Sequence, residues 1–167
     1  MRNSVSALLI AAALGISGAA NAATATTSFS VTATVLKTCL ATSSALAFGS
    51  YTPGAGALTG STAVNVKCTN GTAFTVALNA GTTTGAAITQ RLMANGANTL
   101  QYNLFTTTAY TTVFGDSTGG SATQAGTGSG LGSAVAVNVY GQLPDNATNQ
   151  NAVPGNYSDT VTATITY

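Results

Sequence analysis

Beyond hydroxyls and amides, this 167-residue sequence offers few groups that do chemistry. Past its N-terminal leader they are Asp116, Asp145, Asp159, Lys37, Lys67, Arg91, Cys39 and Cys68, and the chain has no His, Trp or Glu. Acid–base catalysis needs a tunable pair of groups. All three aspartates adjoin turn or loop signals, where Asx-type capping accounts for Asp116 and Asp145. A Ser or Cys nucleophile needs a base, and the usual one, His, is missing. Lys37 or Lys67 would serve only in an environment that the sequence does not supply. The run Gly126-Thr-Gly-Ser-Gly-Leu-Gly132 lacks the spacing, the downstream Lys and the following helix of a phosphate cradle, and reads as a flexible surface loop. Asn70-Gly-Thr and Asn146-Ala-Thr match the glycosylation sequon, as chance matches would in so Asn- and Thr-rich a chain. Tyr102, Tyr140 and Tyr157 read as packing residues before sugar-stacking ones. The expectation is a protein that is not an enzyme and carries no metal or cofactor.

Cys39 and Cys68 remain. In an exported chain a single pair of cysteines most simply forms one disulfide. The alternative, a metal or redox pair, has neither a His nor a Cys-x-x-Cys spacing behind it. The loop they would close, of about 30 residues, corresponds to about 3.6 kcal/mol in the chain-entropy description. Export itself is read from residues 1–22: Arg2, a short apolar run from Ala7 to Ile16, and the small-x-small site Ala20-Asn21-Ala22 form a signal peptide. The apolar run is too short to span a bilayer.

The elements that position these groups read as strands. Val64 and Val66 lead into Cys68, and Asn70-Gly71 is a hairpin turn signal. Phe74, Val76 and Leu78 alternate, as do Leu100, Tyr102 and Leu104, and Val135, Val137 and Val139. Shorter apolar segments lie at Ala45–Phe48, Gln90–Met93 and Tyr110–Phe114, and Pro144–Val153 reads as a polar loop. No segment holds a helical period over three turns. Short strands with turn signals roughly every ten residues predict one all-β sandwich, with no internal repeat. Only 4% of the residues are charged, against about 25% in an ordinary domain. Without Arg2 the three cations balance the three aspartates. Such a surface does not attract nucleic acid and opposes self-association weakly.

The two ends of the chain carry the strongest pattern. At the C-terminus Val161, Ala163, Ile165 and Tyr167 point one way and Thr160, Thr162, Thr164 and Thr166 the other, the mark of a half-buried strand. A strand with one side unpartnered leaves an edge that something must cover. Near the N-terminus, Ser28–Val35 alternates too, with Phe29, Val31, Ala33 and Val35 on one face. A spare strand at one end and an unfinished sheet at the other suggest a subunit that lends its first strand to a neighbour.

Several short motifs, taken in order, resemble one family. They are Leu46-Ala-Phe-Gly-Ser-Tyr-Thr-Pro53, Val64-x-Val-x-Cys-Thr69, Arg91-Leu-Met93, Leu100-x-Tyr-Asn-Leu104, Phe114-Gly-Asp116, Val139-Tyr-Gly141, and the ending from Gly155-Asn-Tyr-Ser-Asp-Thr-Val161 to Tyr167. The chain resembles the spore coat protein U domain family, which includes the pilins of archaic, Csu-type chaperone–usher pili. The resemblance implies an incomplete immunoglobulin-like β-sandwich completed by donor-strand exchange. A periplasmic chaperone would fill the gap first, and at the outer-membrane usher the strand of another copy, or of a related pilin, would replace it.

The expected organisation is a signal peptide at 1–22, a donor-strand segment at 23–38 bearing Phe29, Val31, Ala33 and Val35, and a pilin domain at 39–167. Val161, Ala163, Ile165 and Tyr167 would line its acceptor groove. The expected function is a structural subunit of an exported surface fibre with roles in adhesion and biofilm formation. The alternatives are a spore or cell coat protein of the same family and a tip adhesin or sugar-binding module.

Overall fold

The computed structural model describes residues 22–167, so the expected signal peptide lies almost wholly outside the described residues. Residues 22–38 have no assigned secondary structure and are exposed at every position. Eight strands follow: β1 (Cys39–Ser43), β2 (Leu58–Cys68), β3 (Ala73–Leu78), β4 (Arg91–Asn95), β5 (Asn98–Phe105), β6 (Gln124–Thr127), β7 (Val135–Leu143) and β8 (Ala163–Thr166). One short helix, α1 (Ala147–Gln150), lies between β7 and β8. Every pairing between named strands is antiparallel. Five strands form one sheet in the order β1-β2-β7-β5-β4, and three form a second in the order β6-β3-β8.

The alternation read from the sequence is what fills the space between the sheets. Val64 and Val66 of β2, Leu100 and Leu104 of β5, and Val137, Val139 and Leu143 of β7 are buried from the larger sheet. Phe74, Val76 and Leu78 of β3 meet them from the smaller one. Burying each such side chain contributes about 1.5–3 kcal/mol. The two antiparallel sheets make the chain an immunoglobulin-like sandwich, as expected. Cys39 and Cys68 are disulfide-bonded, and they are also the first register pair of the β1–β2 ladder.

Three segments depart from the expectation. Ala45–Phe48 joins no ladder, although its burial alternates: Leu46 and Phe48 pack against the core while Ala45 and Ala47 are exposed. This segment lies close against the β2–β7 pair because Gly60 and Gly141 face each other there. A Cβ on Gly141 would stand 2.9 Å from Leu46 Cδ1 and 2.9 Å from Phe48 Cζ. The glycine-rich run is not all loop, since β6 ends in its first residues and pairs with β3. The polar loop at 144–153 holds α1, capped by the Asn146 side chain, which accepts from the Asn149 N–H at 2.9 Å. Asn149 is buried and acts as a substitute strand. Its Oδ1 accepts from the Gln101 N–H at 2.8 Å, and its Nδ2 donates to the Gln101 and Pro144 carbonyls at 2.9 and 2.7 Å.

Candidate functional site: an apolar groove beside an open strand edge

Among the described residues β8 pairs with β3 alone and on one side only. The direction of its backbone groups follows from the ladder. Asn79 N–H donates to the Thr162 carbonyl at 3.1 Å, so the bonding positions of this antiparallel pair are 162, 164 and 166. On the far side of β3, Thr72 accepts from Gly128 and Leu78 donates to Gly115, which fits the same alternation. The N–H and C=O groups of Ala163 and Ile165 therefore point away from β3, toward the open edge.

Beside this edge lies a groove of about 970 Å³. Residues 43–51 and Pro53 form one wall, and residues 152–161 with Ala163 form the other. The floor is the interior of the sandwich: Val64, Leu100, Leu104, Val139 and Leu143 from the larger sheet and Leu78 from the smaller. Tyr102 also lines it, edge-on to Phe48 with ring centroids 6.0 Å apart. The smaller sheet ends at β8, and the floor side chains, only 2–5% exposed, are screened by the two walls rather than by a further strand. A β-sandwich interior reachable from outside along an unpaired strand has the shape to receive an extended peptide, with ladder bonds from the edge and pockets for alternate side chains.

The C-terminal segment is held on this wall by two sets of hydrogen bonds and by packing of Tyr157 and Val161 on the core. Ala94 and Ser158 exchange backbone hydrogen bonds at 2.8 and 3.1 Å, tying it to the edge of β4. Asp159 then fixes it to the loop after β3. Its Oδ1 accepts from the N–H groups of Thr82 and Thr83 at 2.9 and 3.2 Å and from both hydroxyls, and its Oδ2 accepts from the Tyr102 phenol at 2.7 Å. Burial works to raise the Asp159 carboxyl, but the hydrogen bonds from Tyr102 and Thr82 outweigh it and hold the group below its ordinary value. Burial, then the bond to Asp159, pushes the Tyr102 phenol up. Gly81, with φ at +94°, lies so close that a Cβ there would collide with the Asp159 carboxylate.

At the opposite wall Asp145 holds the turn at 51–56. It accepts from the Tyr51 phenol at 2.5 Å and from the N–H groups of Gly54 and Gly56 at 3.0 and 2.8 Å. These bonds, Tyr51's first, pull its carboxyl down to about 2. Asp116 does cap its own turn, accepting from the Thr118 N–H at 3.0 Å, whereas Asp145 caps a turn far away in sequence. Gly115-Asp-Ser-Thr-Gly119 has the spacing Gly-x-Ser-x-Gly, and it is this same Asp116-capped turn. No helix follows it and the chain has no His, so it lacks the setting of a nucleophile elbow.

The remaining expected site residues fall as follows. Val161 and Ala163 line the groove. Ile165 is half-buried further along the same face and packs against the core. Tyr167 is 53% exposed and lies with Thr166, Phe74 and Gly126 at a shallower depression. Phe29, Val31 and Val35 are 85, 84 and 85% exposed, and Ala33 is exposed with them. The sequence reading missed the wall formed by Ser43–Pro53. The alternation of Leu46 and Phe48 was the available signal, but it reads equally as a core strand.

The Spore Coat Protein U domain family model matches residues 25–164. "Protein U" of Myxococcus xanthus is 35% identical over 188 aligned positions, which cover 100% of this chain and 98% of that protein. The chain belongs to the spore coat protein U domain family. Among solved structures it is similar to one described as the CsuC–CsuE chaperone–tip adhesion subunit pre-assembly complex of the archaic chaperone–usher Csu pili of Acinetobacter baumannii. The TM-score is 0.57 at 19% identity, covering 80% of this chain and 41% of that one. That likeness is one of fold.

Proposed function

We propose that this chain is a structural, pilin-type subunit that polymerises outside the inner membrane by strand exchange. Phe29, Val31, Ala33 and Val35 of one subunit enter the groove of the next and add a strand along the open edge of β8. The observation that carries this is the groove itself: a cavity of about 970 Å³ lined by core side chains beside an unpaired edge, in a chain with an exposed alternating apolar segment. Phe29, Val31 and Val35 together contribute roughly 5–9 kcal/mol on burial, with Ala33 adding little. Before assembly a periplasmic chaperone covers the groove, and an outer-membrane usher is the place of exchange; the fold shared with a chaperone-bound pilus subunit supports this reading. The product is an exported surface fibre that serves attachment and biofilm formation, and no step of it calls for catalysis.

The similarity to Protein U and the family description favour a second reading, a structural layer of a spore or cell coat built by the same joint. Electron microscopy of producing cells separates the two: thin fibres for a pilin, a continuous layer for a coat. The joint itself is tested by Val31→Asp, which places an unpaired carboxylate in the groove at a cost of several kcal/mol. The expected product is a subunit that folds and binds its chaperone but does not polymerise. Long, heat-resistant fibres in wild-type amounts would refute the reading.

A further inference from the structure

An added strand must choose a register as well as a groove. A slip of one residue turns every side chain outward and is strongly opposed. A slip of two keeps the faces, so apolar burial alone discriminates weakly against it. Side-chain size and charge distinguish the registers. Read forward, the inward positions of the exposed segment are Phe29, Val31, Ala33, Val35 and, two residues on, Lys37. Read backward, the positions of one parity in the C-terminal segment are Tyr167, Ile165, Ala163, Val161 and Asp159, of which the last three line the groove and the first two continue the same strand edge beyond it. Antiparallel, they match term by term: aromatic on aromatic, branched on branched, alanine on alanine, cation on anion. Asp159 is the only charged side chain lining the groove among the described residues, and Lys37 is the only cation in residues 22–38. Among the described residues the Asp159 Oδ2 accepts a hydrogen bond from Tyr102 alone, so it retains capacity for a second donor.

Resting on the strand-exchange reading, we propose that Lys37 of one subunit sits opposite Asp159 of the next, and that this pair, with the Ala33–Ala163 contact, sets the register of the joint. Opposite charges directly across an antiparallel pair stabilise it, and the small pair lets the two backbones close without a void. A slip of two in one direction sets the Lys37 ammonium against Val161 and crowds Val35 on Ala163. A slip in the other sets Val35 against the Asp159 carboxylate and faces Val31 with Ala163. A parallel strand that kept the alanine pair would set Phe29 against Asp159 and Lys37 against Tyr167. The partner is thus a second copy of this chain, recognised by a reversed copy of its own size-and-charge pattern.

Cysteine pairs in the full-length protein, exported and assembled by the producing cells, read the register directly. Opposed positions in such a ladder have Cα atoms about 5.5 Å apart, within reach of a disulfide. The expected result is an intersubunit, reducible ladder from Val35→Cys with Val161→Cys. Val35→Cys with Ala163→Cys and Ala33→Cys with Val161→Cys, the two slipped pairings, should give none, and peptide mapping should place the new bond apart from Cys39–Cys68. A ladder from a slipped pair, with none from 35/161, overturns the register while leaving strand exchange intact. Assembled fibres in which none of the three pairs links would overturn both. For the charge, Lys37→Glu should slow or weaken assembly roughly two- to five-fold at low salt and much less at high salt. Lys37→Arg should restore it. A Lys37→Glu variant that assembles as wild type in low salt overturns the role of the pair.

Discussion

Asp145 and Arg91 show what single side chains do here. Asp145 sits well below its ordinary value of 3.8, at about 2, because it is ionised where Tyr51, Gly54 and Gly56 donate to it. Asp116 and Asp159 are lowered too. A carboxyl depressed in the folded state contributes stability that is full above its unfolded value and is lost as pH falls through its folded value. The subunit, kept in its chaperone complex or self-complemented, should therefore lose thermal stability between about pH 4 and pH 2. Asp145→Asn should flatten that loss, which a melting series across pH measures. Arg91 is fully buried, and among the described residues its hydrogen-bond acceptors are carbonyl oxygens, none of them a carboxylate. Its Nε donates to the Asn79 carbonyl at 2.9 Å, Nη1 to Asn103 Oδ1 at 2.7 Å and Nη2 to the Phe114 carbonyl at 2.8 Å, so one guanidinium ties the ends of β3 and of the 110–114 segment to β5. Arg91→Lys keeps the charge but cannot span three acceptors, and should cost about 2–4 kcal/mol by thermal denaturation. In the sequence Arg91 stands out as one of few charged residues and as part of a recurrent motif, and neither feature gives its role. Its role depends on loops meeting in space, which no local pattern encodes.

At the scale of elements, sequence alternation works where a strand has a wet face and a dry one. It found β2, β3, β5, β7 and the half-buried β8 for that reason. It missed β1, whose residues after Cys39 are all exposed, and β6, where Gly126 stands against the Phe74 ring and presents no side chain to count. It saw both halves of the proposed joint but not the wall at 43–53, because inward-pointing Leu46 and Phe48 look the same with or without a ladder. The open edge carries its own prediction. Fusing a copy of Ser28–Lys37 after Tyr167 through a short Gly/Ser linker should yield a soluble, heat-resistant monomer. The chain lacking its own N-terminal strand should be metastable or aggregate. Equal solubility and equal melting of the two would refute an unfinished sandwich.

For the whole molecule, the balance of charges matters more than any one of them. With so few charges, little repulsion opposes contact between copies, so the exposed segment and the open groove are the hazard that a chaperone would manage. The disulfide belongs to this scale as well. Cys39→Ser should lower stability by about 3–4 kcal/mol, a large share of an ordinary 5–15 kcal/mol total, and subunit levels in the export compartment should fall with it. Quantitative immunoblotting of periplasmic extracts checks this.

The position of that bond has a mechanical consequence. In a fibre joined as proposed, tension enters each subunit through its N-terminal strand at Thr38 and Cys39, the outer end of β1. Pulled from there, β1 would unzip from β2 one rung at a time, the weakest way to load an antiparallel ladder. The bond between Cys39 and Cys68 crosses the very first rung. It passes the load by a covalent path into β2, which is flanked on both sides and holds it in shear along β7. Stretched one at a time, oxidised fibres should hold until the joints between subunits give way. The same fibres in reductant should lengthen earlier, at lower force, in steps the size of a peeled β1.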